Sequence, residues 1–208
     1  MIGILGGTFD PVHNGHVQIA LDIHHALELE QIRLIPCNVP PHRNMPVANA
    51  EQRLAMLQLV TVDHDELSVD TRELEREGPS WMVDTLTSLR NDLGNTPLCF
   101  IVGVDAFNHI DTWHEWQKLI SLAHIVIADR PDCKLAGSGT VAEFLKQNIT
   151  GNKHDLLQQA AGLIYRCPVT QVNVSSTSIR NKIHSGDDAD NQMPEKVWAY
   201  IQKQAIYK

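Results

Sequence analysis

The opening stretch, Met1-Ile2-Gly3-Ile4-Leu5-Gly6-Gly7-Thr8-Phe9-Asp10-Pro11-Val12-His13-Asn14-Gly15-His16, limits what this chain can fold into more than any other. Its short apolar run breaks at Gly6-Gly7 and resumes at His13 with helical spacing, so the chain must pass from a buried strand into a helix. A glycine pair at the end of a parallel strand lets backbone N–H groups come close to a ligand, because no Cβ intervenes. The helix that follows aims its free N–H groups and positive dipole end at the same spot. Phosphate is the natural guest. His13 and His16 fall on the first helical turn, each with a ring N–H for an anion. A lone surface histidine is ordinarily just solvated, but two beside a glycine pair and a helix start favour the phosphate role. No G-x-x-x-x-G-K-[ST] and no G-x-G-x-x-G occurs. A nucleotide held here would meet histidine where a P-loop supplies lysine.

A chain of 208 residues suits one large α/β domain better than two. The expected class is therefore α/β: a single Rossmann-like domain over residues 1–208, with an open, mostly parallel sheet and helices on both faces. No apolar run is long enough to span a membrane, and the chain enters strand pattern without a signal-like segment, so a cytoplasmic protein is expected. A net charge of -8 argues against nucleic acid as a partner, so any anion must be met by a local cluster. Cys37, Cys99, Cys133 and Cys167 form no C-x-x-C pair, and the histidines lack carboxylates at metal-ligand spacing. Neither a disulfide framework nor a protein-held metal is expected.

The pattern along the chain predicts a helix over 17–30, a strand over 31–36 and a Pro-rich loop from Asn38 to Pro46 that leaves the ligand side of the sheet. Arg43 in that loop either closes over a phosphate or is simply solvated. A helix over 51–62, a strand over 67–71 and a solvated charge run over 73–77 follow. Ser80 is a candidate N-cap for a helix over 81–93, whose first turn carries Asp84 and Thr85, facing either a ligand or the helix dipole. Residues 97–103 are the strongest buried strand and end at Gly103-Val104-Asp105, where Asp105 either holds ribose hydroxyls or caps the next helix. Of Trp113 and Trp116, one can line a flat-ring pocket while the other packs in the core. A strand over 123–128 brings Arg130 to the ligand side. Helical pattern over 141–148 and, weakly, 156–161 precedes short strands at 163–166 and 172–174 and a closing helix over 194–206.

Ser175-Ser176-Thr177-Ser178-Ile179-Arg180 puts hydroxyls at a helix start and Arg180 one turn in. Such a start is an anion site in its own right, although Ser-Ser-Thr also caps helices with no ligand. Two anion sites on one sheet suit a polyphosphate gripped from both ends, and hence attack at an α-phosphate with departure of pyrophosphate. That chemistry needs alignment and charge neutralisation more than proton transfer. Mg²⁺ carried mainly by the nucleotide's phosphates would complete the neutralisation.

The two segments together resemble the two signatures of the HxGH nucleotidyltransferases. Over its full length the chain is similar to bacterial nicotinate-nucleotide adenylyltransferases, through Pro40-Pro41-His42-Arg43, Gly78-Pro79-Ser80, Val83-Asp84-Thr85-Leu86, Gly103-Val104-Asp105, Trp113 and Arg130-Pro131. The resemblance implies transfer of AMP from ATP to nicotinate mononucleotide, giving deamido-NAD and pyrophosphate in NAD biosynthesis. It implies that His13, His16 and Arg180 are catalytic, with Gly6, Gly7, Thr8, Phe9, Gly15, Ser176, Thr177 and Ile179 around ATP. Arg43, Thr85, Asp105, Trp113 and Arg130 would serve the mononucleotide, Trp113 by stacking and Asp105 at the ribose. Trp81, Met82 and Asp132 depart from that family's usual Tyr, Thr and Gly. Competing readings are another acceptor, nicotinamide mononucleotide or phosphopantetheine, and a non-catalytic nucleotide-binding protein. A homo-oligomer is compatible with the sequence.

Overall fold

The computed structural model describes residues 1–40, 45–131 and 133–208. Arg43 and Asp132 lie outside the described residues. The chain opens with strand β1 (Ile2–Gly7), helix α1 (Asn14–Leu27) and strand β2 (Gln31–Pro36), with β1 and β2 parallel and in register from Ile2 beside Gln31 to Gly7 beside Pro36. Then come α2 (Ala50–Thr61), β3 (Leu67–Val69), α3 (Met82–Leu93), β4 (Leu98–Gly103), α4 (Val104–Phe107), α5 (Trp116–Leu122) and β5 (His124–Asp129). The remainder is α6 (Thr140–Asn148), β6 (Ile149–Thr150), β7 (Ile164–Pro168), α7 (Ser176–His184) and α8 (Glu195–Gln204), with short 3₁₀ turns between elements.

All strand pairs are parallel, and the sheet order is β3-β2-β1-β4-β5-β7-β6. Alternating side chains divide the core between two faces, as the two-residue strand period demands. Leu5, Ile101 and Val126 join the face covered by α1, α2, α7 and α8. Ile4, Phe100, Val102 and Ile127 join the face covered by α3, α4, α5 and α6. Among the described residues no helix is long and apolar enough to cross a membrane.

The chain starts in the middle of the sheet at β1, builds outward through β2 and β3, then returns to lay β4 against the other side of β1. The connections therefore diverge at the carboxyl ends of β1 and β4, which leaves a crevice there. Gly6-Gly7 and Gly103 end those two strands.

Several local expectations are corrected. The charge run at 73–77 is not wholly solvated: Glu73 is only 3% exposed, and the Thr85 hydroxyl donates to its Oε1 at 2.6 Å. Burial pushes the Glu73 carboxyl above its usual range. Ser80 does not cap α3, whose N-cap is Trp81; its Oγ instead accepts the Asn38 N–H at 3.0 Å. Residues 172–174 are not a strand, 156–161 reduces to a 3₁₀ turn at Lys153–Leu157, and the two-residue β6 lay below the reach of any periodicity. Cys99 and Cys167 are buried.

Candidate active site

At the switch point lies a cleft of about 1170 Å³, walled by the end of β1 and the loop after it, the first turn of α1, residues 45–47, Gly103, Arg130, residues 170–174 and the start of α7. Gly6 permits close packing at its floor, since a Cβ there would stand 2.6 Å from the Met82 Cε. Phe9, at φ 50°, folds its buried ring back against Gly7 and sets it edge-on to the His16 imidazole, centroids 5.0 Å apart.

His13 is the N-cap of α1, one residue outside the first turn where the sequence put it. Its ring stacks on that of His16 with centroids 3.7 Å apart and planes 25° apart. Gly15 makes room for it: a Cβ there would meet the His13 ring at 3.1 Å. The His16 Nδ1 accepts the His13 backbone N–H at 3.3 Å, which leaves the proton of a neutral His16 on Nε2. His13 is buried, and its Nδ1 has no hydrogen-bond partner among the described residues. Desolvation pulls its pKa down from 6.5 to about 4, so at neutral pH the ring is an uncharged dipolar donor.

That shift has a stability consequence. Below pH 6.5 the unfolded chain binds a proton that the folded chain refuses until about pH 4. Stability therefore falls as pH drops through this window, by up to about 3 kcal/mol. Buried His124 is lowered in the same way, so urea titrations at the two ends of the window should show a smaller loss in His13→Asn than in the parent; equal losses would contradict it.

The second half of the cleft is delivered by α7. Ser175 caps it, its Oγ accepting the Ser178 N–H at 3.1 Å, and the Ser176 hydroxyl donates to the Pro11 carbonyl at 2.9 Å. Arg180 Nη1 donates to the Asp10 carbonyl at 2.6 Å and Nη2 to Thr177 Oγ1 at 3.3 Å. The two sequence signatures are thus bonded to each other directly. Ser176 spends its hydroxyl proton on that junction. The helix starts and the guanidinium converge on one space fit for a polyanion.

The structure brings together Gly6, Gly7, Thr8, Phe9, His13, Gly15, His16, Ser176, Thr177, Arg130 and Arg180 along this cleft. Ile179 is not there: it is fully buried, its N–H bonds the Ser175 carbonyl, and it anchors α7 to the core. Nor does Thr85 line the cleft; its hydroxyl is committed to Glu73 and also accepts from Arg76 at 3.1 Å. Trp113 packs near Phe100 at 6.0 Å between centroids, and His114 lies 4.8 Å from Trp81, so an aromatic group stands next to α3. Asp105 is exposed and paired at 3.1 Å with Arg130 at the ends of β4 and β5.

Sequence reasoning passed over Asp10, Arg53 and Tyr207. Arg53 shares one face of α2 with buried Met56, Leu57 and Val60, and a cation in that spacing was the available clue. It donates to the carbonyls of Thr8 at 2.9 Å, Cys37 at 2.6 Å and Ala48 at 3.3 Å, fixing the floor of the cleft. Among the described residues no three His, Cys, Asp or Glu side chains gather as a metal site. The Asp10 carboxylate at the cleft is already engaged by protein donors.

Residues 4–182 match the cytidylyltransferase-like family. A protein of Methylococcus capsulatus named probable nicotinate-nucleotide adenylyltransferase is 45% identical over 208 residues, covering 100% of this chain and 99% of that one. Its namesake in Aeromonas hydrophila is 41% identical over 207 residues, with 100% and 97% covered. The solved Plasmodium falciparum nicotinic acid mononucleotide adenylyltransferase complexed with NaAD superposes with a TM-score of 0.74 at 18% identity, covering 99% of this chain and 96% of that one, a likeness of fold. The chain belongs to the cytidylyltransferase-like family and, within it, to the nicotinate-nucleotide adenylyltransferases.

Proposed function

We propose that this enzyme transfers AMP from ATP to nicotinate mononucleotide, forming deamido-NAD and pyrophosphate for NAD biosynthesis, with the cytoplasm as its compartment. The observation that carries the reading is the junction of the two helix starts, which puts paired imidazoles and a guanidinium on the walls of one cleft. The full-length relatives named for this activity support it.

An oxygen of the mononucleotide's phosphate attacks the α-phosphorus of ATP; that P–O bond forms as the bond to the bridging oxygen of the β-phosphate breaks, and pyrophosphate leaves with the electron pair. A phosphate monoester, with a second pKa of about 6, is already ionised at neutral pH, so no general base is required. His16 and His13 donate N–H groups to the reacting phosphate, where charge rises in the transition state. Arg180 and Thr177 hold the departing pyrophosphate. Gly6, Gly7, Thr8, Phe9 and Gly15 let the nucleotide lie close to the backbone, and Ser176 keeps the halves joined. Trp113 stacks on the nicotinate ring, Thr85 braces the wall of α3 behind it, Asp105 takes the ribose, and Arg130 with Arg43 meets phosphate. Mg²⁺ bound through ATP's own phosphates would supply the remaining charge neutralisation.

The test is pyrophosphate release from ATP with three acceptors in parallel. Nicotinate mononucleotide is expected to give the highest kcat/KM, ahead of nicotinamide mononucleotide, with phosphopantetheine inactive. ATP binding with no pyrophosphate released for any mononucleotide would leave a non-catalytic nucleotide-binding protein.

A further inference from the structure

Beneath the cleft, the Asp10 carboxylate is 5% exposed and draws its donors from distant parts of the chain. Its Oδ1 accepts the Tyr207 hydroxyl at 2.8 Å and the Ala48 N–H at 3.0 Å; its Oδ2 accepts the Val47 N–H at 2.9 Å. Arg180 Nη1, bonded to the Asp10 carbonyl, stands 3.7 Å from the same Oδ2. Tyr207, beyond α8, is itself buried. Burial and the neighbouring carboxylate push its phenol far up, so it stays protonated and donates.

A buried carboxylate must be compensated, and a missing donor makes it pull harder on the nearest cation. Here that cation is Arg180. Val47 belongs to the cleft wall formed with Met45 and Pro46, and Ala48 follows it in the core, so the Asp10 oxygens meet both that segment and the guanidinium.

We infer that Tyr207 is a positioning residue for adenylyl transfer, acting through Asp10 to leave the Arg180 charge free for the triphosphate. The inference rests on the reading of Arg180 as a phosphate ligand. Tyr207 touches no substrate; its hydroxyl satisfies Asp10, so that Arg180 is not drawn inward when a polyphosphate competes for it. The mononucleotide subsite, on the Trp113 side, is left alone.

The experiment compares Tyr207→Phe, Arg180→Ala and the double variant in kcat, mononucleotide KM and Tm. Tyr207→Phe is expected to lower kcat by about 10-fold, the kinetic equivalent of one net hydrogen bond. The mononucleotide KM should stay within about 2-fold, because that side of the cleft is untouched. In the Arg180→Ala background the same replacement should have no further effect on kcat. In an Asp10→Asn background, where no carboxylate pulls on the guanidinium, Tyr207→Phe should likewise have no further effect on kcat. A folded Tyr207→Phe with parental kcat, a loss that persists undiminished without Arg180, or failure of both Tyr207→Phe and Asp10→Asn to fold would overturn the inference, the last by assigning the cluster to stability. An Arg180→Ala protein with parental turnover would instead remove the catalytic reading beneath it.

Discussion

Replacing His16 by alanine should lower kcat by about 10²- to 10³-fold, the usual effect of losing one preorganised donor to developing charge. Mononucleotide KM should change by less than about 3-fold, because the contact strengthens only as the α-phosphorus is attacked. The geometry makes His16 the sharper of the two imidazoles to test. Its Nδ1 is held by the His13 backbone N–H and its ring is clamped between His13 and Phe9, so orientation and tautomer are set before substrate arrives. His13 is buried as the N-cap, and its replacement mixes catalysis with folding. Steady-state kinetics with both substrates varied decide the matter. Equal losses in kcat and in mononucleotide affinity would move His16 from the reacting phosphate to ground-state binding.

Arg53→Met should destabilise the fold by about 3–5 kcal/mol, since each buried carbonyl left without its donor costs about 1–3 kcal/mol. In a chain of this length that lowers Tm by about 6–20 °C. The three carbonyls that Arg53 satisfies come from the glycine loop, the end of β2 and the residue before the N-cap of α2, and none is given another donor by a methionine of similar volume. Burial also presses the guanidinium toward its neutral form, and Cys37, Asp10 and Tyr207 offset that pressure. Urea or thermal melts give the measurement. A variant within about 1 kcal/mol of the parent would show that the loop closes without it, at the level of an ordinary surface change.

How much of this was legible in the sequence depended on how local the cause was. The run from Ile2 to Gly7, the strand Gln31–Pro36 and the run at 97–103 announce themselves, since parallel strands buried on both faces are nearly continuous apolar segments. The two anion-binding starts were legible because each is a few consecutive residues. What bonds them was not: Ser176 to Pro11 and Arg180 to Asp10 span separations of 165 and 170 residues, and no window registers such a pair. The same holds for Glu73, whose charged neighbours read as solvated until Thr85 is seen to fold over it. Ile179 was carried along with its motif, yet its position on α7 turns it to the core. Thr85 shows the converse, a polar side chain whose partners are inside the protein.

The central claim is that one triphosphate is held from both ends across the switch point. Soaking or co-crystallising the protein with a non-hydrolysable ATP analogue tests it most directly. The account predicts the phosphate chain lying from the His13 and His16 imidazoles at the start of α1 to Arg180 and Thr177 at the start of α7. A triphosphate bound with Arg180 still turned to Asp10 and away from it, or seated outside this cleft, would contradict the account.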